Sequence, residues 1–206
     1  MKSFTSFCCL LALIIAPACS KEEPTSQTGD DPSISEPKPQ RYKQWHDICL
    51  SGKSKQIDAQ IAKFEAQLKQ DPKDYLAQVY LGSACALRSK ASFWGPSKLR
   101  FLKRGQQLMD QAVEKAPNDH RVRMVRAIGS YKVPKKFNRR PLAIKDFNVL
   151  VPAANNRKND LAINERQAIL YYAYLTYKEA DREEAAKVKA ACHKLAPDSE
   201  YGKLTR

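Results

Sequence analysis

The chain has 206 residues, of which 43% are hydrophobic, and a formal net charge of +14. No apolar run after the first 18 residues is long enough to cross a bilayer, which excludes an integral membrane protein with several spans. Residues 45–206 suffice for one domain with a proper core.

The first element in the chain has the layout of a secretory signal peptide. One positive charge at Lys2 precedes an apolar run over residues 7–16, and small residues follow up to Cys19. Two interpretations are open: an ordinary signal cleaved after Ala18, or a lipoprotein signal in which Cys19 becomes the first mature residue. The Ala-Pro-Ala before the cysteine resembles a bacterial lipobox, which favours residues 1–18 as a lipoprotein signal peptide and Cys19 as the lipidation site.

The second segment, residues 19–44, is rich in Pro, Ser, Glu, Asp and Gln and contains almost no large apolar side chains. Such a segment cannot bury enough apolar surface to offset its ordering entropy, so we expect a flexible linker behind the lipidated cysteine. The resemblance to bacterial lipoproteins implies a lipid-anchored location in the cell envelope. Ser20 is compatible with the outer membrane, facing the periplasm, in a host with two membranes.

The remaining residues, 45–206, have apolar side chains at spacings of three and four, and no convincing alternating stretch predicts a strand. Pro72, Pro117 and Pro197 each close one helix and are followed by Asp, Asn or Ser residues that can cap the next. The pattern predicts seven helices, over residues 56–70, 74–89, 97–115, 119–131, 141–151, 164–179 and 182–195.

Three stretches of the helical segment repeat one pattern of small and apolar residues. They are Leu81-Gly82 with Gly105 and Pro117, Arg126-Ala127 with Ala143 and Phe147, and Tyr172-Ala173 with Ala185, Cys192 and Pro197. The pattern resembles the tetratricopeptide repeat (TPR), a helix pair with conserved small positions. The resemblance implies an all-α domain: a short right-handed array of antiparallel helix pairs, that is, a TPR-like solenoid of about three degenerate repeats. The chain as a whole resembles a TPR-like bacterial lipoprotein.

The repeat register also predicts a binding surface, because the first helix of each TPR pair lines the inner curve of the array. The register selects Val79, Ser83, Ala86, Met124, Ile128, Tyr131, Leu170, Tyr174 and Tyr177 as groove residues, with Arg121 and Gln167 at the rim. This composition is apolar and aromatic, as in contact surfaces, whereas a solvated surface would be polar. Alternatively, the C-terminal tail, through Tyr201 and Leu204, or a second copy of the chain covers these residues.

Arg126 occupies a helix position that, in the repeat register, points into the packing layer. A guanidinium in the interior needs a carboxylate, because an unpaired buried charge costs several kcal/mol. We therefore expect a structural ion pair of Arg126 with Asp110 on the preceding helix and Asp146 on the following one.

Basic residues concentrate in residues 88–145, which hold 16 Lys/Arg against three Asp/Glu and thus a local charge of +13. Solvated lysines and a surface for a polyanion are both open interpretations. An exported protein seldom meets nucleic acid, so an anionic envelope polymer or lipid is the expected partner of such a surface.

No nucleophile motif, phosphate loop or complete metal site occurs in the chain, so we expect no enzymatic activity, cofactor or metal. His46 and Cys49 have the spacing of half a metal site, without a second half. Cys85 occupies a core-facing helix position and is expected to pack as a small hydrophobe. A disulfide between Cys49 and Cys192 is the one pairing left open.

Two functions remain as hypotheses. The first is a membrane-anchored scaffold that binds a protein or peptide through a concave aromatic groove. The second is a ligand-binding accessory component of a periplasmic transport system, with a small apolar or anionic molecule in a pocket beside the turn that carries Trp94. The stretches 92–117, 121–127 and 133–137 are similar to bacterial repeat-containing exported proteins. The implied shape is similar to the lipoprotein component associated with tripartite periplasmic transporters.

Overall fold

The computed structural model describes residues 36–206, in which every regular element is a helix. The α-helices of this range are α1 (Lys38–Cys49), α2 (Ser54–Gln70), α3 (Tyr75–Ala91), α4 (Gly95–Lys115), α5 (His120–Lys132), α6 (Arg140–Asn155), α7 (Ile163–Glu179), α8 (Glu184–Leu195) and α9 (Glu200–Leu204). One 3-10 turn, Lys135–Phe137, precedes α6. The predicted all-α class is therefore confirmed for the described residues. Cys19, the signal peptide and the first part of the linker lie outside them.

The prediction of seven helices was wrong in number, because α1 and α9 were missed. Helix α1 begins at Lys38, so residues 38–44, which we assigned to the linker, are helical. Its composition is polar, yet Tyr42 and Cys49 are fully buried. Tertiary packing of a few side chains stabilises a helix whose own sequence predicts none. In α9, the Ser199 hydroxyl accepts a hydrogen bond from the Gly202 amide at 2.9 Å and caps the helix.

The helices pack in a regular order. Each helix contacts the next one in the chain, and α1, α3, α5, α7 and α9 also contact one another in sequence. Each even-numbered helix contacts the two odd-numbered helices that flank it in the chain. The odd-numbered helices thus form one row, and the even-numbered helices pack along that row.

Two clusters of buried apolar side chains form the core, and α5 contributes to both. Val122 and Val125 pack in the cluster built with α1–α4. Met124 and Ala127, on another face of α5, pack in the cluster built with α6–α8. Helix α5 therefore joins the two halves of the domain by burying side chains on both sides.

Helices α3 and α4 approach each other closely at two glycines. A Cβ atom added to Gly105 would lie 2.5 Å from the Gly82 carbonyl oxygen, and one added to Gly82 would lie 2.7 Å from the Gly105 carbonyl oxygen. Real Cβ atoms do not come this close to backbone atoms. Glycine at both positions is thus what allows the two backbones to meet.

A buried carboxylate fastens α1 to α3. Asp74 caps α3 by accepting a hydrogen bond from the Ala77 amide at 2.9 Å, and it also accepts from the Tyr42 hydroxyl at 2.6 Å and the Lys38 ammonium at 2.9 Å. Burial alone would raise the pKa of Asp74, but these three donors outweigh it and hold the pKa below its usual value. Burial and the bond to Asp74 also raise the pKa of Tyr42 to about 12.

Replacing Tyr42 with phenylalanine is expected to lower the free energy of unfolding by about 1–2 kcal/mol, because a buried acceptor loses a charge-assisted hydrogen bond. Urea denaturation of the two proteins measures the difference. Tyr75→Phe is the matched control, since Tyr75 is half-buried and its hydroxyl makes no hydrogen bond within residues 36–206. Equal losses in both variants would contradict the role of the Tyr42–Asp74 bond.

Candidate functional site

The odd-numbered helices line a groove of about 360 Å³, which we call the tyrosine groove. One spacing recurs in its lining: residues 80, 83 and 87 of α3, residues 125, 128 and 132 of α5, and residues 165, 168 and 172 of α7. Helix α1 adds His46 and Leu50, and α9 adds Glu200 and Tyr201. Because positions three and four apart share one face of a helix, each of the three central helices turns a continuous stripe toward the groove.

Four tyrosines form a chain of ring contacts at this groove. Tyr131 lies 5.8 Å from Tyr172, Tyr172 lies 5.3 Å from Tyr171, and Tyr171 stacks on Tyr201 at 4.9 Å between ring centroids. The Lys132 ammonium is 5.1 Å from the centroid of the Tyr172 ring, a cation–π distance. Aromatic rings with a hydroxyl at one end suit a contact surface, because they offer apolar area and a hydrogen-bonding group together.

The C-terminal tail borders the tyrosine groove, and it does not fill the groove. Tyr201 is one of the lining residues, whereas Leu204 is 55% exposed and is not among them. The alternative that the tail covers the predicted surface therefore holds only for the ring of Tyr201, which rests against Tyr171 and Tyr172.

Several residues predicted for the groove lie at it or beside it. Met124, Ile128 and Ser83 line it. Tyr131 adjoins it through Tyr172. Arg121 adjoins the lining through Glu165, to whose carboxylate the Arg121 Nε donates at 2.8 Å.

The prediction was wrong for Leu170, Tyr177 and Val79, which belong to the core. Leu170 is 1% exposed and Val79 is fully buried. Tyr177 is 3% exposed, and its hydroxyl donates to Asn148 at 2.8 Å. Tyr174 is half-buried and lies outside the groove lining.

The errors in α7 have a simple geometric cause. In α3 the lining residues 80, 83 and 87 lie one before, two after and six after Leu81. In α7 the lining residues 165, 168 and 172 have the same offsets from Arg166. The repeat pattern had instead equated Leu81 with Tyr172, six residues later. Six residues are not a whole number of helical turns, so the predicted stripe faced a different side of the helix. The lining residues of α7 that the prediction missed are Asn164, Glu165, Ala168 and Tyr172. Aligning α7 to α3 by their apolar spacing, rather than by the small-residue pattern, would have found them.

His46 of α1 is a titratable group in the groove lining. Its Nε2 lies 2.8 Å from the Ser83 hydroxyl. Burial lowers the pKa of His46 to about 4; the Asp47 carboxylate opposes this shift, while the Lys132 and Lys43 ammonium groups add to it. The imidazole is therefore neutral at pH 7.

This depressed pKa predicts a loss of stability in mild acid. The unfolded chain binds a proton at His46 near pH 6.5 and the folded chain only near pH 4, so falling pH favours unfolding within that window. Between pH 7 and pH 5 the free energy of unfolding should fall by up to about 2 kcal/mol from this group. His46→Gln keeps a partner for Ser83 without titrating, so urea denaturation should show a smaller fall for this variant. The same fall in both proteins would contradict the assignment.

A second cavity, of about 560 Å³, adjoins the tyrosine groove and shares Ser83, Leu87, Gly129 and Lys132 with it. We call it the lysine pocket, because Lys90, Lys98, Lys132 and Lys136 line it. None of these four ammonium groups forms an ion pair in the part of the chain that the structure describes, and the lining contains no carboxylate. The remaining lining is largely apolar, and includes Ala86, Leu99, Leu102, Val133 and Phe137.

The structure brings the predicted charged residues Arg126, Asp110 and Asp146 together. Arg126, which is 8% exposed, donates to both oxygens of the fully buried Asp146, at 2.8 and 2.7 Å. Arg123 adds a bond of 2.9 Å to the same carboxylate. Asp110 lies 3.6 Å from Arg126, but its closer partner is Arg139, at 2.7 and 2.9 Å. The network therefore ties α4, α5, α6 and the segment before α6 together.

The cysteines of the described residues are three buried free thiols. The Cys49–Cys192 disulfide that the sequence left open is not formed: Cys49 packs in one core cluster and Cys192 in the other. Cys85 is fully buried, as expected of a small hydrophobe. The Cys49 sulfhydryl donates to the Trp45 carbonyl oxygen, and within residues 36–206 no group of three His, Cys, Asp or Glu side chains is arranged to hold a metal.

No known family, curated protein or solved structure matches this chain. Across residues 36–206, none of the helices combines the length and apolar character needed to span a bilayer. Evidence on function therefore comes from the geometry of the two cavities.

Proposed function

We propose that residues 38–206 form a short TPR-like array that binds an extended segment of a partner protein in the tyrosine groove, rather than catalysing a reaction. In this proposal the chain is an exported lipoprotein, held in the cell envelope through Cys19. The repeated spacing of the lining residues in α3, α5 and α7 supports the array, as does the order of contacts among the odd-numbered helices.

One observation carries the binding proposal: the tyrosine groove is a continuous surface of three helices in which some of the aromatic and apolar side chains stay partly exposed. Tyr172 and Ile128 are only partly buried, although both pack on the second core cluster. Partly exposed tyrosines beside aliphatic side chains are enriched where proteins bind their partners.

Panning a phage-displayed library of random peptides against the full chain tests this function. Enriched peptides should bind Ile128→Glu and Tyr172→Ala at least about tenfold more weakly than the parent, because both changes fall at the centre of the groove. The matched controls are Ile163→Glu and Tyr174→Ala, whose side chains lie outside the groove lining. Ile163 is 58% exposed, so its replacement leaves the core intact.

Photoreactive amino acids at positions 128 and 172 should crosslink to the enriched peptides more efficiently than those at 163 and 174. Failure to enrich any peptide, or equal binding by the groove and control variants, would contradict the proposed function.

The lipid anchor is tested separately, by mass spectrometry of the mature N terminus from bacterial membranes. A diacylglyceryl-modified Cys19 as the first residue is the expected result. An unmodified Cys19, or cleavage at another position, would remove the lipoprotein proposal.

The lysine pocket favours a second candidate function, the carrier or transport accessory. Its apolar lining and four ammonium groups without carboxylate partners match a small molecule with an apolar body and a negative charge. The fluorescent fatty acid cis-parinaric acid is a suitable probe. Ala86→Trp, which places an indole in the pocket, should abolish binding that Lys187→Gln on α8 leaves unchanged; binding unaffected by Ala86→Trp would eliminate this candidate.

A further inference from the structure

The loop between α3 and α4 exposes two aromatic side chains that are not buried in the core of the described residues. Phe93 is 103% exposed and Trp94 is 69% exposed, while Leu99, one turn into α4, is 44% exposed. Single exposed apolar residues are common, but adjacent aromatic rings in water at one loop tip mark a contact site.

The loop is held firmly by polar contacts. The Ser92 hydroxyl donates to the Arg88 carbonyl oxygen and accepts from the Arg88 guanidinium, both at 2.9 Å. The Ser89 hydroxyl donates to the Lys98 carbonyl oxygen at 2.8 Å and joins the end of α3 to the first turns of α4. Phe93 and Trp94 thus lie in a loop whose two ends are joined by hydrogen bonds.

The charged residues on both sides of the aromatic pair in the sequence are all basic. Residues 75–109 contain six Lys/Arg and no Asp/Glu. Arg88 and Arg104 pair with Asp58 and Glu65 of α2. The other four, Lys90, Lys98, Arg100 and Lys103, are exposed and form no ion pair with any residue in the described range 36–206.

We propose that this loop docks on the surface of an anionic phospholipid bilayer, with Phe93 and Trp94 inserted at the headgroup level and the flanking cations on lipid phosphates. Tryptophan partitions to the membrane interface, and clustered Lys and Arg beside it add attraction to anionic headgroups. The four exposed cations without ion pairs in the described range favour a negatively charged bilayer over an uncharged apolar pocket on another protein. The docking uses no residue of the tyrosine groove lining, whereas two of its cations, Lys90 and Lys98, also line the lysine pocket.

The fluorescence of Trp94 measures whether the loop enters a bilayer. The full chain carrying Cys19→Ser, which prevents lipidation, is compared with the same chain carrying Trp94→Phe, and the difference in fluorescence belongs to Trp94. With vesicles of phosphatidylcholine and phosphatidylglycerol, Trp94 emission should shift to shorter wavelength and be quenched by lipids with brominated acyl chains. Vesicles of phosphatidylcholine alone should produce a much smaller change. Because the apolar run over residues 7–16 can itself bind vesicles, the Trp94 signal, and not vesicle binding alone, is the quantity compared.

Charge variants separate docking from general adhesion. Lys98→Gln should weaken the Trp94 response to anionic vesicles about fivefold, and higher salt should weaken it further. Lys187→Gln on α8 should have no effect. Phe93→Ser should reduce the response and leave the circular dichroism spectrum equal to that of the parent, because Phe93 is fully exposed. Equal responses to both vesicle types, or no quenching of Trp94, would overturn the proposal. A dimer that dissociates in Phe93→Ser, without vesicle binding, would assign the loop to a second copy of the chain and overturn it as well.

Discussion

Asp146→Ala is expected to lower the free energy of unfolding by about 3–5 kcal/mol, because it removes the buried carboxylate to which two guanidinium groups donate. Asp146 is fully buried, and Arg126 and Arg123 both donate to it. Removal of one partner from a buried ion pair costs more than the pair contributes, since the remaining charge stays desolvated. For a domain of this size the melting temperature should fall by roughly 10 °C.

Two further variants identify the cause of this loss. Asp146→Asn keeps the side-chain volume, so the loss that it shares with Asp146→Ala arises from charge and not from a cavity. Arg126→Ala should also lower the melting temperature, by more than the exposed control Lys187→Ala. Equal melting temperatures for Arg126→Ala and Lys187→Ala would contradict a structural role for the buried pair.

Gly105→Ala is expected to destabilise the protein by about 3 kcal/mol, although alanine is the better helix former by about 1 kcal/mol. The added Cβ would lie 2.5 Å from the Gly82 carbonyl oxygen and 3.0 Å from the Ala86 amide nitrogen, and neither backbone atom can turn away. Helices α3 and α4 would have to separate, which would also open the cavities that α3 lines.

Gly95→Ala at the start of α4 is the matched control, because a Cβ there meets nothing within 4 Å. Thermal unfolding of both variants distinguishes the two positions. A stability of Gly105→Ala equal to or above that of the parent would mean that helix propensity decides at this site, and the close approach of the two helices would be refuted.

The seven central helices were predictable because local signals define them. Apolar spacing of three and four sets each helix, and Pro72, Pro117 and Pro197 mark where helices end. Helix α1 was not predictable in the same way, since its stability comes from burying Tyr42 and from the bond to Asp74 on α3, 32 residues further along the chain. No local pattern reports such a contact.

Partial prediction of the tyrosine groove has a similar explanation. Met124 and Ile128 were predicted correctly as lining residues because the repeat register of α5 agrees with its packing. In α7 the small-residue pattern around Tyr172 suggested another register, and Leu170 and Tyr177 were consequently placed on the wrong face. The rotation of a helix about its axis depends on which of its side chains pack against neighbouring helices. In α7 one such side chain is Tyr177, whose hydroxyl donates to Asn148 of α6.

The sequence by itself determined the all-helical class, the approximate bounds of α2–α8, and the need of Arg126 for a carboxylate, because periodicity, helix-ending residues and the cost of a buried charge act locally or through composition. Only the tertiary structure decided the rotation of α7, the docking of α1 and α9, and the preference of Asp110 for Arg139. It also decided that two pairs of lysines from different parts of the chain, Lys90 with Lys98 and Lys132 with Lys136, share one pocket. These features depend on contacts between residues far apart in the chain, and the chain fixes them only when all of its helices pack at once.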